Sequence, residues 1–147
     1  MKTILLTAAL VASIVSAMPA QARDSKHMMP IAAALEANDA RARLGDSVKF
    51  YFGKQPTPAI AERLGTDKTS QKTNSFGKSA DVSCNWAFLS ALLRLQQRAR
   101  ELGADAVVNI VSNYKNVEMS SDTEFECHDG ALMTGVALKA EFVKIKD

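Results

Sequence analysis

Cysteine and histidine are scarce in this chain, with two of each in 147 residues. Two cysteines cannot supply a zinc-finger set, and with no histidine close to Cys84 they make a weak zinc pair. Only His27 and His128 are available as the base of a hydrolase, and neither stands near a strained nucleophile turn. Charge of one sign is also missing. Eighteen Lys and Arg against sixteen Asp and Glu leave a formal charge of +2. That balance offers no basic patch for nucleic acid and no overall attraction to anionic lipid. After residue 22 no run is long and apolar enough to span a bilayer, and the chain has no internal repeat.

What is present begins with an address. Lys2 gives a positive start, Ile4 to Val15 is a short apolar run, and Ala20-Gln21-Ala22 is an A-x-A cleavage signal before Arg23-Asp24. Residues 1–22 are therefore expected to be a secretory signal peptide cleaved near Ala22. Residues 23–147 are expected to be a single soluble domain, periplasmic or secreted. No cysteine adjoins the cleavage site, so no lipid-modified membrane anchor is expected. In an oxidising compartment Cys84 and Cys127 read first as a disulfide, with two free thiols or a metal pair as the alternatives. A bridge would close a loop of about 40 residues, worth on the order of 3–4 kcal/mol by chain entropy.

The elements follow from periodicity. Pro30 to Leu44 reads as helical with a break at Asn38-Asp39. Val48 to Phe52 reads as a strand with Val48, Phe50 and Phe52 toward the core. Ala59 to Leu64 suggests one or two helical turns. Thr66 to Ser83 is polar, with Phe76 and Val82 as its apolar anchors, and is expected to be a long surface loop. Asn85 to Leu102 is the clearest helix: Phe88, Leu92, Leu95, Ala99 and Leu102 make one buried stripe, and Gly103 suits a left-handed cap. Ala106 to Tyr114 reads as a strand buried on both faces. Thr123 to Cys127 reads as a further strand, His128-Asp129-Gly130 as a turn, and Ala131 to Ile145 as the last strand. Val136, Leu138, Ala140 and Phe142 share one face of it.

The run Glu101-Leu-Gly-Ala-Asp-Ala-Val-Val-Asn-Ile110, Tyr114, and Ala131-Leu-Met-Thr-Gly-Val-Ala-Leu-Lys-Ala140 resemble the YbjQ-like family of small bacterial proteins. The same helix–strand–hairpin core is similar to the sensor domain of the RcsF-like lipoproteins. The resemblance spans a core of about residues 84–145. It implies a disulfide joining the region before the helix to the hairpin, which places Cys84 and Cys127 as the pair. It also implies a tendency to ring oligomers, hence self-association, which an exposed edge strand would favour. The stretches KTNSFGKS, CNWAFLSALL and SSDTEFEC resemble exported proteobacterial proteins that circulate under the label excinuclease ATPase subunit.

That label meets a physical objection. Gly77-Lys78-Ser79 is the tail of a phosphate-binding loop, but Lys72 stands where the first glycine is needed and the preceding stretch is polar. Asp122, Glu124, Glu126 and His128 alternate, so on a strand they share a face that could take a divalent metal, or simply form the wet face of a hairpin. His27-Met28-Met29, Met119 and Met133 hint at copper, yet cleavage after Ala22 puts His27 fifth, not third. Trp86 reads as a core anchor, and Cys84, if oxidised, as no nucleophile. Lys72, Asn74 and Lys78 form a polar patch able to contact a partner.

The expected fold is α+β: a small, mostly antiparallel sheet carrying one long helix, with an N-terminal helical extension. The expected role is a non-enzymatic envelope or periplasmic binding protein. Its partner would be an envelope protein or a cell-wall component, with no nucleic acid and no resident cofactor. The alternative is a divalent-metal protein using Asp122, Glu124, Glu126 and His128.

Overall fold

The computed structural model describes residues 23–147. The leader read at residues 1–22 lies outside the described residues. The chain runs β1 (Asp24–Pro30), α1 (Ile31–Glu36), α2 (Ala40–Leu44), β2 (Lys49–Phe52), β3 (Ile60–Asn74), α3 (Ala80–Leu102), β4 (Ala106–Ser112), a 3-10 turn (Tyr114–Asn116), β5 (Glu124–Gly130) and β6 (Met133–Ile145). The six strands form one mostly antiparallel sheet with α3 packed on it, the α+β arrangement expected.

The long last strand organises the sheet. Inward residues Thr134, Val136, Leu138, Ala140 and Phe142 are buried, as the alternation requires. Along one edge β6 pairs with β3 from Asn74↔Met133 to Ile60↔Ile145. Along the other it meets β5 at Thr134 and Gly135 and then β4 between Leu138 and Val143. Beyond these, β1 pairs antiparallel with β5 and β2 pairs parallel with β4. On the outer face a small second cluster gathers Ala106, Val108 and Val143 with Tyr51, Ile60 and Ile145.

The helix α3 covers the inner face. Phe88, Leu92, Leu95 and Ala99 are buried as the stripe predicts, and Leu102 is half-buried. Phe88 stacks on Phe125 at 4.0 Å and leans on Phe52 at 5.8 Å. Gln96, also buried, donates to the Leu44 carbonyl at the end of α2. Gly103 ends the helix at φ 71, where a Cβ would be strained, and its N–H bonds the Ala99 and Arg100 carbonyls. The Cys84–Cys127 disulfide pins the first turns of α3 to β5, and both residues are fully buried. The bridge indicates an oxidising, non-cytoplasmic setting. No helix of the described residues is long and apolar enough to cross a membrane.

Several sequence expectations are corrected. The stretch from Ala59 is neither helical turns nor a long loop. Residues Ile60–Asn74 form an edge strand whose side chains are exposed or half-buried throughout. Its ladder to β6 supplies the order that an apolar face would otherwise supply. Lysines 68 and 72, Arg63 and Glu62 charge this edge against further pairing. The helix starts at Ala80, five residues before Asn85, because Ser79 caps it by accepting from the Val82 N–H and Asp81 favours its first turn. His128-Asp129-Gly130 continues β5, and the hairpin turns at Ala131-Leu132. Buried Asp129 is held across the hairpin by the Thr134 hydroxyl at 2.7 Å and by Arg23 at 3.2 Å. Thr134 Oγ1 also lies 3.0 Å from Ser83 Oγ in α3. Finally, the N-terminal half brings β1 and β3 as well as the expected strand at β2 and two short helices, and Pro30 ends β1 instead of opening a helix. The helical break expected at Asn38-Asp39 is present, both residues having positive φ.

Replacing Cys84 and Cys127 together by Ser frees a 43-residue loop in the unfolded chain. Chain entropy sets the expected loss at about 4 kcal/mol. Equilibrium denaturation of the oxidised protein against the double variant measures it. An unchanged midpoint would mean that the bridge contributes nothing to stability.

Candidate functional site

The acidic residues singled out in the sequence do not converge. Asp122 precedes β5 and serves the turn after β2: its carboxylate accepts from the Lys54 N–H at 2.7 Å, and its carbonyl accepts from the Gln55 amide at 2.9 Å. Glu124 is exposed at the start of β5. Glu126 and His128, two apart on one strand, share a face as alternation requires, and Glu126 Oε1 lies 2.6 Å from His128 Nε2.

The remaining partners come from elements the sequence did not connect. Antiparallel β1 sets Asp24 and Lys26 beside β5. Asp24 Oδ1 lies 2.8 Å from His128 Nδ1, and Lys26 Nζ lies 3.6 Å from Glu126 Oε2. Tyr114, in the connection between β4 and β5, stacks on the imidazole with ring centroids 3.3 Å apart and planes 11° apart. Its hydroxyl donates to Asp24 Oδ2 at 3.0 Å. Asp24 carries no sequence signal of its own. It is found only once β1 is known to be a strand and its register against β5 is set.

A carboxylate faces each ring nitrogen of His128. The bond from His128, and next that from Tyr114, holds the Asp24 carboxyl below its ordinary value. Burial, and then the neighbouring Asp24 carboxylate, push the Tyr114 phenol up. Both ring nitrogens of His128 are engaged by carboxylates, and Tyr114, its phenol pushed up, is the opposite of an activated nucleophile. Among the described residues no group of three or more His, Cys, Asp or Glu is set to hold a metal ion. The cluster joins β1, β5 and the β4–β5 connection.

The methionine and histidine run is also dispersed by the strand. His27 is half-buried opposite Cys127, while Met28 points out and Met29 in. Trp86 is half-buried against the core with the Arg43 guanidinium 5.7 Å from its ring centre. A polar trough lies between β3 and the β4–β5 connection, bordered by Lys68, Asn116, Glu118 and Lys139. An apolar groove runs between α1 and β2, bordered by Leu35, Phe50 and Phe52.

The patch at Lys72, Asn74 and Lys78 has a different surrounding from the one expected. Lys72 and Asn74 end β3, and Lys78 lies in the short turn that follows. Asn74 accepts from the Phe76 N–H at 2.7 Å, and the Asn74 carbonyl accepts from Lys78 Nζ at 3.1 Å. Buried Ser75 fastens this turn to the β5–β6 hairpin, its N–H donating to the Leu132 carbonyl and its hydroxyl to the Gly130 carbonyl, both at 2.9 Å. Instead of anchoring a loop, Phe76 and Val82 are 75% and 46% exposed, beside Leu132 at 65% and Met133 at 48%. The other large exposed apolar residues, Met28 and Val117, lie outside these two turns. Ser79 is spent on the α3 cap, which takes it from any phosphate-loop role.

Comparison of the chain with models of protein families, with curated proteins and with solved structures finds no match.

The Asp24 cluster predicts a pH dependence with a definite sign. A carboxyl held below its ordinary value of 3.8 in the fold contributes stability that is full above that value. The contribution is lost as pH falls through the lower folded value. Tyr114, raised above 10.0, contributes fully below that value and loses its contribution as pH climbs past it. The Asp24→Asn variant should therefore unfold more easily than the parent at neutral pH, and the two should converge in acid below pH 3.8. Parallel curves of midpoint against pH would contradict the assignment.

Proposed function

We propose that this chain is an exported interaction protein of the cell envelope that works by contact, and that its contact surface is the end formed by Ser75–Val82 and Ala131–Met133. The observation that carries the reading is the exposure of Phe76 and Leu132 on two turns hydrogen-bonded to each other through Ser75, with exposed Met133 opening β6 and exposed Val82 in the first turn of α3. Soluble domains rarely leave such side chains grouped in water without use for them. Mobility does not account for the exposure, since Ser75, Asn74 and Ser79 each fix the backbone that displays them.

Export rests on the leader read at residues 1–22, and the buried disulfide supports it. The resemblance to the YbjQ-like and RcsF-like group, on the residues named above, supports a small non-catalytic envelope domain. A divalent cation on the acidic face would have to displace Asp24 or Glu126 from His128, and no observation favours that reading. Nor does any favour nucleotide hydrolysis at Gly77-Lys78-Ser79.

Site-specific photo-crosslinking in exporting cells tests the proposal. A photoreactive residue at position 76 or 132 should give crosslinks, and one at Arg63, on exposed β3 away from the tip, should not. Equal crosslinking at all three positions, or none at 76 and 132, would overturn it.

A further inference from the structure

We infer that the tip's partner is the surface of an anionic lipid bilayer, into which Phe76, Leu132 and Met133 dip while Lys72 and Lys78 meet the headgroups. The inference rests on the reading of this end as the contact surface and names what it touches.

Shape comes first. Phe76 and Leu132 are 75% and 65% exposed, so they project from their turns and line no groove. A protein partner of comparable affinity would need a pocket shaped to receive them, whereas a bilayer interface accepts any small apolar projection. An aromatic ring beside aliphatic side chains suits the boundary between headgroups and acyl chains.

Charge comes second. Lys72 stands two residues before Asn74, which pairs with Met133, and Lys78 stands two residues after Phe76. The ion pairs of the described residues leave both lysines out. Lys72 forms no ion pair, and Lys78 Nζ is held only by the neutral Asn74 carbonyl, a partner that phosphate can replace, with Asp81 at the start of α3 as the opposing charge. The near-neutral whole chain conceals this, because attraction to a membrane acts locally, within about 10 Å of the surface.

The experiment is co-sedimentation of the protein, as recovered from exporting cells with its disulfide intact, with two kinds of vesicle. One is pure phosphatidylcholine and the other contains phosphatidylglycerol. Comparing variants prepared in the same way cancels any effect of the N-terminus. The parent should bind the anionic vesicles and bind the neutral ones much more weakly. Phe76→Ser with Leu132→Ser should lower binding about ten-fold. Lys72→Gln with Lys78→Gln should lower binding to anionic vesicles roughly twenty-five-fold, at about five-fold per lysine. All these residues are exposed or close to it, so the fold should survive, and a Phe76→Trp variant gives a second readout. Its added emission should shift to the blue on anionic vesicles and be quenched by brominated lipid. Absent binding, or binding that ignores all these substitutions, overturns the membrane assignment. The contact reading then stands or falls separately: crosslinks from position 76 to a protein, or to a second copy of this chain, keep it, and no crosslink at all removes it.

Discussion

Everything in this fold hangs on the pairing of one strand along both of its edges. β6 is long enough to take β3 along one whole side and to take β5 and then β4 in succession on the other. A flat ribbon could not serve two neighbours end to end on one side. β4 is bent instead, with Asn109 at φ 49 inside it and a register shift between Val108 and Val111. The sheet therefore forks, and β1–β5 and β2–β4 leave β6 as separate arms. The disulfide and the Asp129–Thr134–Ser83 contacts fasten α3 to the β5 arm and its hairpin.

That forked geometry separates the ionic cluster from the apolar tip. The β5 arm and the β4–β5 connection bring Asp24, Glu126, His128 and Tyr114 into one cluster, which has the residue types of a catalytic or metal site. Its geometry argues for a clamp: every polar atom that would do chemistry is already committed to a neighbour. At the end where β3 leaves β6 and β5 turns into β6, the opposite holds. There the backbone is pinned through Ser75 and the apolar side chains stand exposed.

The legible parts of the sequence are those where one physical pattern dominates locally. The four-three spacing of Phe88, Leu92, Leu95 and Ala99 needs no tertiary information to say helix, and Val107-Val108 with Ile110-Val111 says buried strand. β3 was illegible because an edge strand exposed on most of its surface has no hydrophobic period, and its order comes from a partner about seventy residues away. The turn predicted at His128-Asp129-Gly130 failed for a related reason. Asp129 is a turn former only while its carboxylate is free, and here Thr134 and Arg23 take it. Of the acidic set, the Glu126–His128 contact was readable from alternation, whereas Asp24 and Tyr114 depend on strand register. Phe76 was misread because an apolar residue in a polar stretch ordinarily marks burial, and nothing local shows that Ser75 turns it outward.

Hydrogen exchange, followed by mass spectrometry with and without isolated envelope membranes, tests the division of labour between the two sites most directly. Contact through the tip predicts added protection confined to Ser75–Val82 and Ala131–Met133, with Asp24–Lys26 and the Glu126–His128 stretch unchanged. Protection centred on β1 and β5, or on the groove between α1 and β2, would contradict it and make the ionic cluster or the sheet edge the working surface.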